Sequence, residues 1–368
     1  MSLILDGTTG VPVTTVTGTL PVANGGTGVA TAIDYGFKNR IINGGMVVSQ
    51  RGATNVVAGG GSTYIAADRF NVFNYFGSGQ VNTAVSTSIV PTGYAYSLGL
   101  TVNTAVPLSG TTGYAINVAQ TIEGFNISDC YTQTVTLSFW VRSSITGTYS
   151  VSFSNATNVG LSATSRIYVT NYTINAANTW EQKTINVNLS TGTASGTWLS
   201  DNGAGLNLAW GLGAESNRKG NTYLDTWGTI GTTYNVQSSA QTQWAATSGA
   251  TFYITGVQLE KGSTATSFDY RPYGTELALC QRYYEILTIP ASTAALAAGQ
   301  NTASYFTATW QLKQTKRAVP TYTVGVGGYS GATPSSYPQI DIVYLSASTT
   351  FYINGTSGNI GASASAEL

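Results

Sequence analysis

The chain has 368 residues, of which 15 are basic and 15 acidic, so its formal net charge is zero and charged residues make up only 8% of it. A neutral chain gives no electrostatic reason to expect binding to nucleic acid or to an anionic membrane. No apolar run approaches the roughly 20 residues that span a bilayer, so we expect no membrane insertion. With 43 Gly and 23 Tyr among many Thr and Ser, the composition predicts an all-β protein with many turns.

Residues 1–36 contain short β-like pieces separated by Gly and Pro and show no periodic apolar face. Such a segment does not fold alone, so we predict either a disordered tail or an N-terminal arm that becomes ordered against other chains. The lack of charge favours the arm, because disordered tails are usually charged. The segment also lacks a basic-then-apolar signal sequence, so assembly in a cytoplasm is expected.

Residues 37–272 are predicted to form one large jelly-roll β-sandwich. Short segments alternate apolar and polar residues with a period of two, and polar turns separate them. The side chains predicted to point inward are Val135, Leu137, Phe139, Val141, Tyr149, Val151, Phe153, Ile185, Val187, Leu206, Leu208, Trp210 and Leu212. Trp140 lies between two of these positions and is therefore predicted to point outward, either into an interface between protomers or toward a glycan.

The segment TFYITGVQLE changes its phase of alternation at Gly256. Phe252 and Ile254 share the inward face before this glycine, whereas Val257 and Leu259 share it afterwards. One extra residue in a strand shifts the alternation in this way. We therefore predict a β-bulge at Gly256.

The next segment holds a disproportionate share of the charges and a helical pattern. Its charged residues are Glu260, Lys261, Asp269, Arg271, Glu276, Arg282 and Glu285. A connecting helix is predicted over 273–286, with Thr275 as its cap and Glu276 in its first turn, where a carboxylate suits the helix dipole. Leu277, Cys280 and Tyr284 have the spacing of one helix face.

Residues 287–368 alternate again and are predicted to form a smaller C-terminal β domain. Its aromatic candidates for ligand binding are Trp310, Tyr322, Tyr329 and Tyr337. Tyr329 and Tyr337 lie in a segment rich in Gly, Ser and Pro, where binding residues commonly sit. Trp310 alternates with Phe306, which is also the pattern of a core residue.

The residue types present exclude several kinds of chemistry. Because there is no histidine, Ser-His-Asp catalysis, Cys-His catalysis and histidine-containing zinc sites are excluded. Cys130 and Cys280 are the only cysteines, and we expect buried free thiols and neither a disulfide nor a metal site. No cofactor is expected, because the Gly-rich segments lack the strand–loop–helix context and the Lys of a phosphate-binding loop.

One hydrolytic mechanism remains open, in which two carboxylates cleave a glycosidic bond. The acids considered are Asp68, Glu123, Asp129, Asp225 and Asp341. They do not recur at a spacing that places two on one strand face, so we expect no catalytic residue and no enzyme activity. Binding is better supported, because aromatic, amide and hydroxyl groups with few charges suit a sugar ligand.

Three blocks of the sequence resemble a family of bacteriophage tail-fibre receptor-binding proteins. They are FKNRIINGGMVVSQRG with the following ADRF, then LSFWVRSSITGTYSVSF, and then GVQLEKGSTATSFDYRPYGTELALCQRYYE. The segment LPVANGGTG is similar to segments at the virion-proximal end of many such fibres. The resemblance covers residues 1 to about 285.

This resemblance implies a homotrimeric tail fibre with a jelly roll like that of carbohydrate-binding modules. The arm would hold a baseplate or proximal fibre protein, and the C-terminal domain would meet a host cell-surface polysaccharide. Residues implied at the trimer interface are Leu277, Cys280, Arg282 and Tyr284, and Glu276, Arg282 and Glu285 are expected to pair between chains. A monomeric linker helix, a fibre-borne depolymerase and a bacterial surface adhesin are the alternatives.

Overall fold

The computed structural model of the chain describes residues 37–52, 54–58, 60–74, 79–111, 113–157, 160–231, 234–289, 306–324, 333–336, 342–347 and 360–368. The predicted N-terminal arm, residues 1–36, lies outside them. Asn39–Leu368 forms one compact unit. The predicted division of this unit into domains at 37–272 and 287–368 remains a prediction.

Thirteen strands of the described chain form two antiparallel sheets that enclose a common core, which confirms the predicted all-β sandwich. The strands are β1 (Thr54–Ala58), β2 (Gly61–Tyr64), β3 (Asn71–Asn74), β4 (Gln80–Ser86), β5 (Ser97–Thr104), β6 (Ala115–Glu123), β7 (Thr134–Ser143), β8 (Gly147–Ser154), β9 (Arg166–Ile174), β10 (Glu181–Asn188), β11 (Ala204–Ala214), β12 (Gly228–Thr229) and β13 (Thr251–Lys261). The six-stranded sheet has the order β1-β4-β5-β13-β7-β10, and the seven-stranded sheet has the order β12-β9-β8-β11-β6-β3-β2. The chain crosses repeatedly between the sheets, as in a jelly roll.

The apolar alternation of the sequence predicts this core correctly. All the side chains predicted to point inward are buried, and most have no exposed surface. Phe139 on the six-stranded sheet, for example, meets Trp210 on the seven-stranded sheet edge-to-face, with ring centroids 5.7 Å apart. Apolar rows from both sheets therefore meet in one dry layer, as the hydrophobic effect requires.

The bulge predicted at Gly256 is confirmed. The pairing of β13 with β7 shifts register between Thr255 and Gln258, and Gly256 has a φ of 59°. Phe252 and Ile254 before the bulge, and Val257 and Leu259 after it, are all fully buried. The bulge therefore keeps both halves of the strand facing the core.

The helix that follows β13 is shorter than predicted. Helix α2 spans Tyr273–Gln281 and is preceded by Pro272, so Thr275 lies inside the helix and does not cap it. The helix is followed by a strand that begins at Tyr284 and takes both Tyr284 and Glu285 out of the predicted helix. The remaining short elements are helix α1 (Leu189–Thr193) and the 3-10 turns Gly124–Asn126, Ser128–Cys130, Ser216–Arg218 and Trp244–Ala246. No helix in the described residues is long and apolar enough to cross a membrane.

The described residues after helix α2 contribute two further antiparallel sheets of three strands each. These strands are β14 (Tyr284–Ile289), β15 (Phe306–Gln311), β16 (Thr321–Val324), β17 (Thr333–Ser336), β18 (Ile342–Ala347) and β19 (Ile360–Ser365). One sheet has the order β14-β19-β16 and the other β15-β18-β17. The C-terminal segment thus begins and ends on adjacent strands beside the sandwich.

Three carboxylates of the fold, two of them in the charged block, form ion pairs with basic groups of the same chain, and the predicted pairing between chains remains a prediction. The ion pairs, with their N–O distances, are Arg271–Glu276 (3.2 Å), Arg282–Glu123 (2.5 Å) and Lys316–Glu285 (2.8 Å). Each carboxylate in these pairs is nearly or fully buried. A buried carboxylate needs a partner inside its own fold, because leaving it unpaired in a dry environment costs several kcal/mol, on the order of 3–5.

A second group of ion pairs anchors the last residues of the chain to the sandwich. Arg69, which is only 1% exposed, pairs with Glu367, and its guanidinium also lies 3.5 Å from the centroid of the Tyr283 ring. Arg317 donates hydrogen bonds to the main-chain oxygens of Ala366 and Asn202. The Arg69–Glu367 and Arg317–Asn202 contacts connect segments that are 298 and 115 residues apart in sequence.

Candidate functional site

The two faces of the sandwich differ in what covers them. The outer face of the seven-stranded sheet is covered by the chain itself, and Gln237 and Gln241 donate hydrogen bonds to the main-chain oxygens of Ile116 and Gly211 on that sheet. The outer face of the six-stranded sheet keeps exposed or partly exposed side chains on its strands, among them Val56, which is 60% exposed. A ligand therefore finds free surface on the six-stranded sheet, and we call this surface the open face.

Trp140 lies on the open face, as its alternation predicts. Its neighbours Phe139 and Val141 have no exposed surface, whereas Trp140 is partly exposed. Trp140 stands between Thr255 of β13 and Gln182 of β10, which are its partners in the sheet. The exposed surface of an outward Trp on this sheet is therefore available to a ligand.

An aromatic wall bounds the open face near Trp140. It consists of Tyr94, Phe268 and Tyr270, whose ring centroids are 4.8–5.9 Å apart. Tyr270 is 63% exposed. Burial, together with the neighbouring Tyr270, raises the pKa of Tyr94 to about 12, and a hydrogen bond with Trp140 acts in the opposite direction. The wall therefore lies beside Trp140.

Two residues of the wall, Phe268 and Tyr270, stand on a loop, residues 262–271, that follows β13 and folds back over its end. Glu260 is buried and accepts hydrogen bonds from the main-chain nitrogen and the hydroxyl of Thr266, at 2.9 and 2.6 Å. The main-chain nitrogen of Asp269 donates to the side-chain oxygen of Gln258 at 2.8 Å. Two buried side chains of β13 thus fix the loop that carries Phe268 and Tyr270.

Tyr253 forms the middle of the open face. It pairs with Gly99 of β5 on one side and with Arg142 of β7 on the other. A Cβ atom on Gly99 would lie only 2.7 Å from the Tyr253 ring. The ring therefore lies over β5 at Gly99, where a larger residue would collide with it. Trp180 meets Tyr253 edge-to-face, with centroids 6.4 Å apart.

A groove continues the open face beyond Tyr253. It has a volume of about 610 Å³ and runs over β1, β4 and β5. Thr54, Asn82, Ser86, Thr101 and Tyr253 are among the residues that line it, and no charged residue lines it. The volume is within the range of roughly 300–1,000 Å³ that small-molecule sites occupy.

Sequence reasoning finds Trp140 but misses the aromatic residues that the structure gathers on the same face. Tyr253 carries the same signal as Trp140, because it lies between the inward-facing Phe252 and Ile254. Tyr94 and Trp180 lie outside the strands, so alternation gives no signal for them. Their position depends on the turns that bring residues 94 and 180 to β13.

The other predicted binding residues belong to the C-terminal segment. Tyr329 and Tyr337 lie outside the described residues. Trp310 is on β15 and Tyr322 is on β16, for which the structure describes the backbone path at these positions. Their role in receptor binding remains a prediction.

The predicted trimer-interface residues take the following positions. Cys280 has no exposed surface and packs with Ile42, Val48 and Tyr283, with Leu277 against the same cluster. Arg282 pairs with Glu123, and the Tyr284 ring lies 3.6 Å below the guanidinium of Arg51. The partly exposed members, Leu277, Arg282 and Tyr284, keep surface for a contact between chains, and that contact remains a prediction.

Both cysteines are free and buried, as predicted. Burial raises the pKa of the Cys130 thiol to about 11 and that of Cys280 well above its ordinary value. A thiol in this state is a poor nucleophile and a poor metal ligand. Among the described residues, no three or more Cys, Asp or Glu side chains converge on a point that would hold a metal ion.

The described carboxylates considered for glycoside hydrolysis are all bound by groups of the chain. Glu123 pairs with Arg282, Asp129 with Arg40 at 2.8 Å, and Asp225 accepts a hydrogen bond from Thr170. Asp68 is 1% exposed and accepts from Gln50, and its burial raises its pKa. The remaining candidate, Asp341, lies outside the described residues. Glu181, a further acid, pairs with Lys183 at 2.6 Å.

No protein-family model matches this sequence, and no curated protein matches it. Among solved structures, the chain is similar to a putative sugar binding protein from Bacteroides thetaiotaomicron, with a TM-score of 0.33, 12% identity, and coverage of 61% of this chain and 100% of that one. It is also similar to the CBM22-2 xylan-binding domain of Paenibacillus barcinonensis Xyn10C, with a TM-score of 0.30, 13% identity, and coverage of 53% and 92%.

A third similar structure is the enzymatically active domain of tailspike protein 4 from bacteriophage CBA120, with a TM-score of 0.31 and 14% identity. That match covers 61% of this chain but only 21% of the tailspike domain. Likenesses at this level of TM-score and identity carry no argument about function. The sandwich is established by this chain's own strand pairing.

Proposed function

We propose that this protein binds a glycan through the open face of its six-stranded sheet and does not cleave it. The observation that carries the proposal is the set of partly exposed aromatic side chains on that face: Trp140, Tyr253, Trp180 and Tyr270. They stand next to a groove lined by hydroxyl, amide and small apolar side chains. Sugar rings present apolar faces to aromatic side chains and hydroxyls to such polar groups, so this surface suits a saccharide.

Binding without cleavage is favoured by the state of the carboxylates. Glycoside hydrolysis generally needs two carboxyl groups that flank the scissile bond and are free to exchange protons or attack. On the open face, the outward Glu260 is buried beneath the loop 262–271 and accepts two hydrogen bonds from Thr266. The described face therefore offers stacking and hydrogen bonding without the paired acids of a hydrolase.

The biological setting that we propose is a bacteriophage tail fibre that attaches the virion to a host surface polysaccharide. Support comes from the sequence blocks that resemble such fibres. Two of these blocks contain Arg69, Glu276, Arg282 and Glu285, all of which form ion pairs within the chain, and the pair of Arg69 with Glu367 joins the sandwich to the C-terminal segment. The blocks also contain Trp140, Phe268 and Tyr270 of the open face.

The partners proposed with this role are two further copies of the chain and a baseplate or proximal fibre protein that holds residues 1–36. Three weak glycan sites on one fibre would gain avidity of roughly 10²–10⁴-fold over one site. Light scattering of the purified protein tests the trimer, and a stable folded monomer at micromolar concentration would contradict it.

The site is tested with the double variant Trp140→Ala/Tyr253→Ala, in calorimetric titration with host polysaccharide and in adsorption to host cells. Loss of two stacking side chains is expected to lower the affinity by about 10-fold or more. Tyr273→Ala is the matched control, because Tyr273 is 60% exposed but lies on helix α2 and not on a strand of the sheet. Release of reducing sugars by the parent protein would show that it cleaves.

The C-terminal candidates are tested in the same assays with Tyr329→Ala/Tyr337→Ala. If this variant loses adsorption while Trp140→Ala/Tyr253→Ala keeps it, the receptor site belongs to the C-terminal segment and not to the open face. Equal adsorption of both variants and the parent would contradict the proposed glycan-binding role of either surface.

A further inference from the structure

Arg142 is the charged side chain that projects from the open part of the six-stranded sheet. It follows Trp140 by two residues on β7, so it points to the same side of the sheet. The other outward acid or base on the neighbouring strand, Glu260, is buried and bound to Thr266. Arg142 is only partly exposed, yet no carboxylate oxygen of the described residues lies within 4.0 Å of its guanidinium nitrogens, the distance of an ion pair.

The guanidinium of Arg142 is held in one orientation. Its Nε donates a hydrogen bond to the main-chain oxygen of Asn178 at 2.8 Å, and its central carbon lies 5.4 Å from the centroid of the Tyr253 ring. The main-chain nitrogen of Asn178 in turn donates to Ser143 at 2.7 Å. The edge of the guanidinium that carries the two Nη groups finds no acceptor among the described residues of the chain.

The loop that orients Arg142 is itself fixed. Glu181 accepts hydrogen bonds from the main-chain nitrogens of Asn175 and Ala176 at 2.8 and 3.0 Å. The same loop ends at Trp180, whose ring meets Tyr253. Arg142, Tyr253 and Trp180 therefore form one pre-organised corner of the open face, which consists of two aromatic rings and a guanidinium whose two Nη groups are free of acceptors among the described residues.

We infer that the glycan bound on the open face carries a carboxylate, as in a uronate or a sialate, and that Arg142 binds this carboxylate. The inference rests on the proposed function and adds the class of sugar. A planar guanidinium matches a carboxylate with two parallel hydrogen bonds, and the neighbouring rings stack against the sugar that bears it. The adjoining groove contains no acidic side chain that would repel the ligand.

The test compares carboxylated polysaccharides with their own carboxyl-reduced forms, which keep the backbone and lose the charge. Polygalacturonate, hyaluronate, alginate and polysialate are immobilised beside these reduced forms, and binding of the full chain is measured by biolayer interferometry. At least one carboxylated form is expected to bind about 10- to 100-fold more tightly than its reduced form. This preference should shrink with added salt, since a partly exposed ion pair is screened.

Arg142→Gln should remove the preference for the carboxylated form. Arg142→Lys should keep only part of this preference, because an ammonium group lacks the planar, two-pronged geometry of a guanidinium. Lys261→Gln is the matched control, since it removes the same charge from an exposed position at the far end of β13. An equal effect of Arg142→Gln and Lys261→Gln would overturn the inference. So would failure of every carboxylated form to bind, or equal binding of the reduced forms.

The outcomes separate this inference from the proposed function. If neutral or reduced glycans bind with full affinity and Trp140→Ala/Tyr253→Ala abolishes that binding, the glycan-binding function stands and the carboxylate is excluded. If sulfated polysaccharides bind and carboxylated ones do not, the assignment of the anion is wrong. If no glycan binds at all, both proposals fail.

Discussion

At the scale of single residues, two glycines leave room for aromatic rings to lie against the backbone of the open face. Gly99 leaves room for the Tyr253 ring, and Gly256 lies beneath Tyr94, whose hydroxyl would be only 2.6 Å from an added Cβ. Gly256 also has a φ of 59°, a conformation that L-residues adopt at a cost. The positions of the Tyr253 and Tyr94 rings therefore depend on two glycines, which have no side chain to contact a ligand.

Gly256→Ala is expected to destabilise the protein by about 2 kcal/mol or more, because strain at positive φ adds to the contact with Tyr94. Urea unfolding measures the change. Gly274→Ala is the control, since nothing lies within 4 Å of its added Cβ in helix α2, and a stabilisation of up to about 1 kcal/mol is expected there. Equal stability of the two variants would contradict the strained bulge.

At the scale of elements, a short loop, residues 175–180, supports the corner formed by Trp180, Tyr253 and Arg142. The carboxylate of Glu181 binds the start of this loop. Burial alone would raise the pKa of Glu181, but hydrogen bonds from Lys183, Ala176 and Asn175 lower it to about 2 from its ordinary value of 4.5. A carboxylate whose pKa is lowered by folding stabilises the fold only while it is ionised.

The stability contributed by Glu181 should therefore be complete above pH 4.5 and be lost as the pH falls toward 2. Glu181→Gln, which cannot ionise, should be less stable than the parent above pH 4.5, and the difference should shrink as the solution is acidified. Urea midpoints measured at intervals between about pH 6 and pH 2 check this. A difference that stays constant over the whole interval would show that Glu181 acts by shape and not by charge.

At the scale of the whole molecule, a buried ion pair joins β14 to the segment that follows β15. Lys316 pairs with Glu285 at 2.8 Å and also donates to the main-chain oxygen of Gln281. Both side chains of this pair are almost completely buried. Glu285 of the charged block therefore has its partner within its own chain, and pairing between chains remains a prediction.

Lys316→Met should destabilise the protein by about 3–5 kcal/mol, because Glu285 would remain buried and, among the described residues, would keep only the main-chain nitrogen of Lys313 as a donor. The double variant Lys316→Met/Glu285→Gln should recover much of this loss, since the unpaired charge is removed. Lys313→Met is the matched control, because its side chain is exposed, and a change within about 0.5 kcal/mol is expected. Equal urea midpoints for Lys316→Met and Lys313→Met would contradict the role of the buried pair.

The sequence by itself determined the fold class, the inward rows of the sandwich, the outward position of Trp140 and the bulge at Gly256. These features follow from the two-residue period of a strand, which is local and can be read without knowing any partner. Helix α2 was found, but its end was placed too late, because the pairing of β14 with β19 takes Tyr284 and Glu285 into a strand.

Only the tertiary structure decided which strands are neighbours, which partner each charge takes and which aromatic residues share the open face. Arg69 meets Glu367 across 298 positions of sequence, and Tyr94 meets Tyr270 through turns that no alternation describes. The period of a strand fixes the face on which a side chain lies but not the order of strands in the sheet. Contacts between distant segments are set by that order, and therefore by the packing of the whole chain.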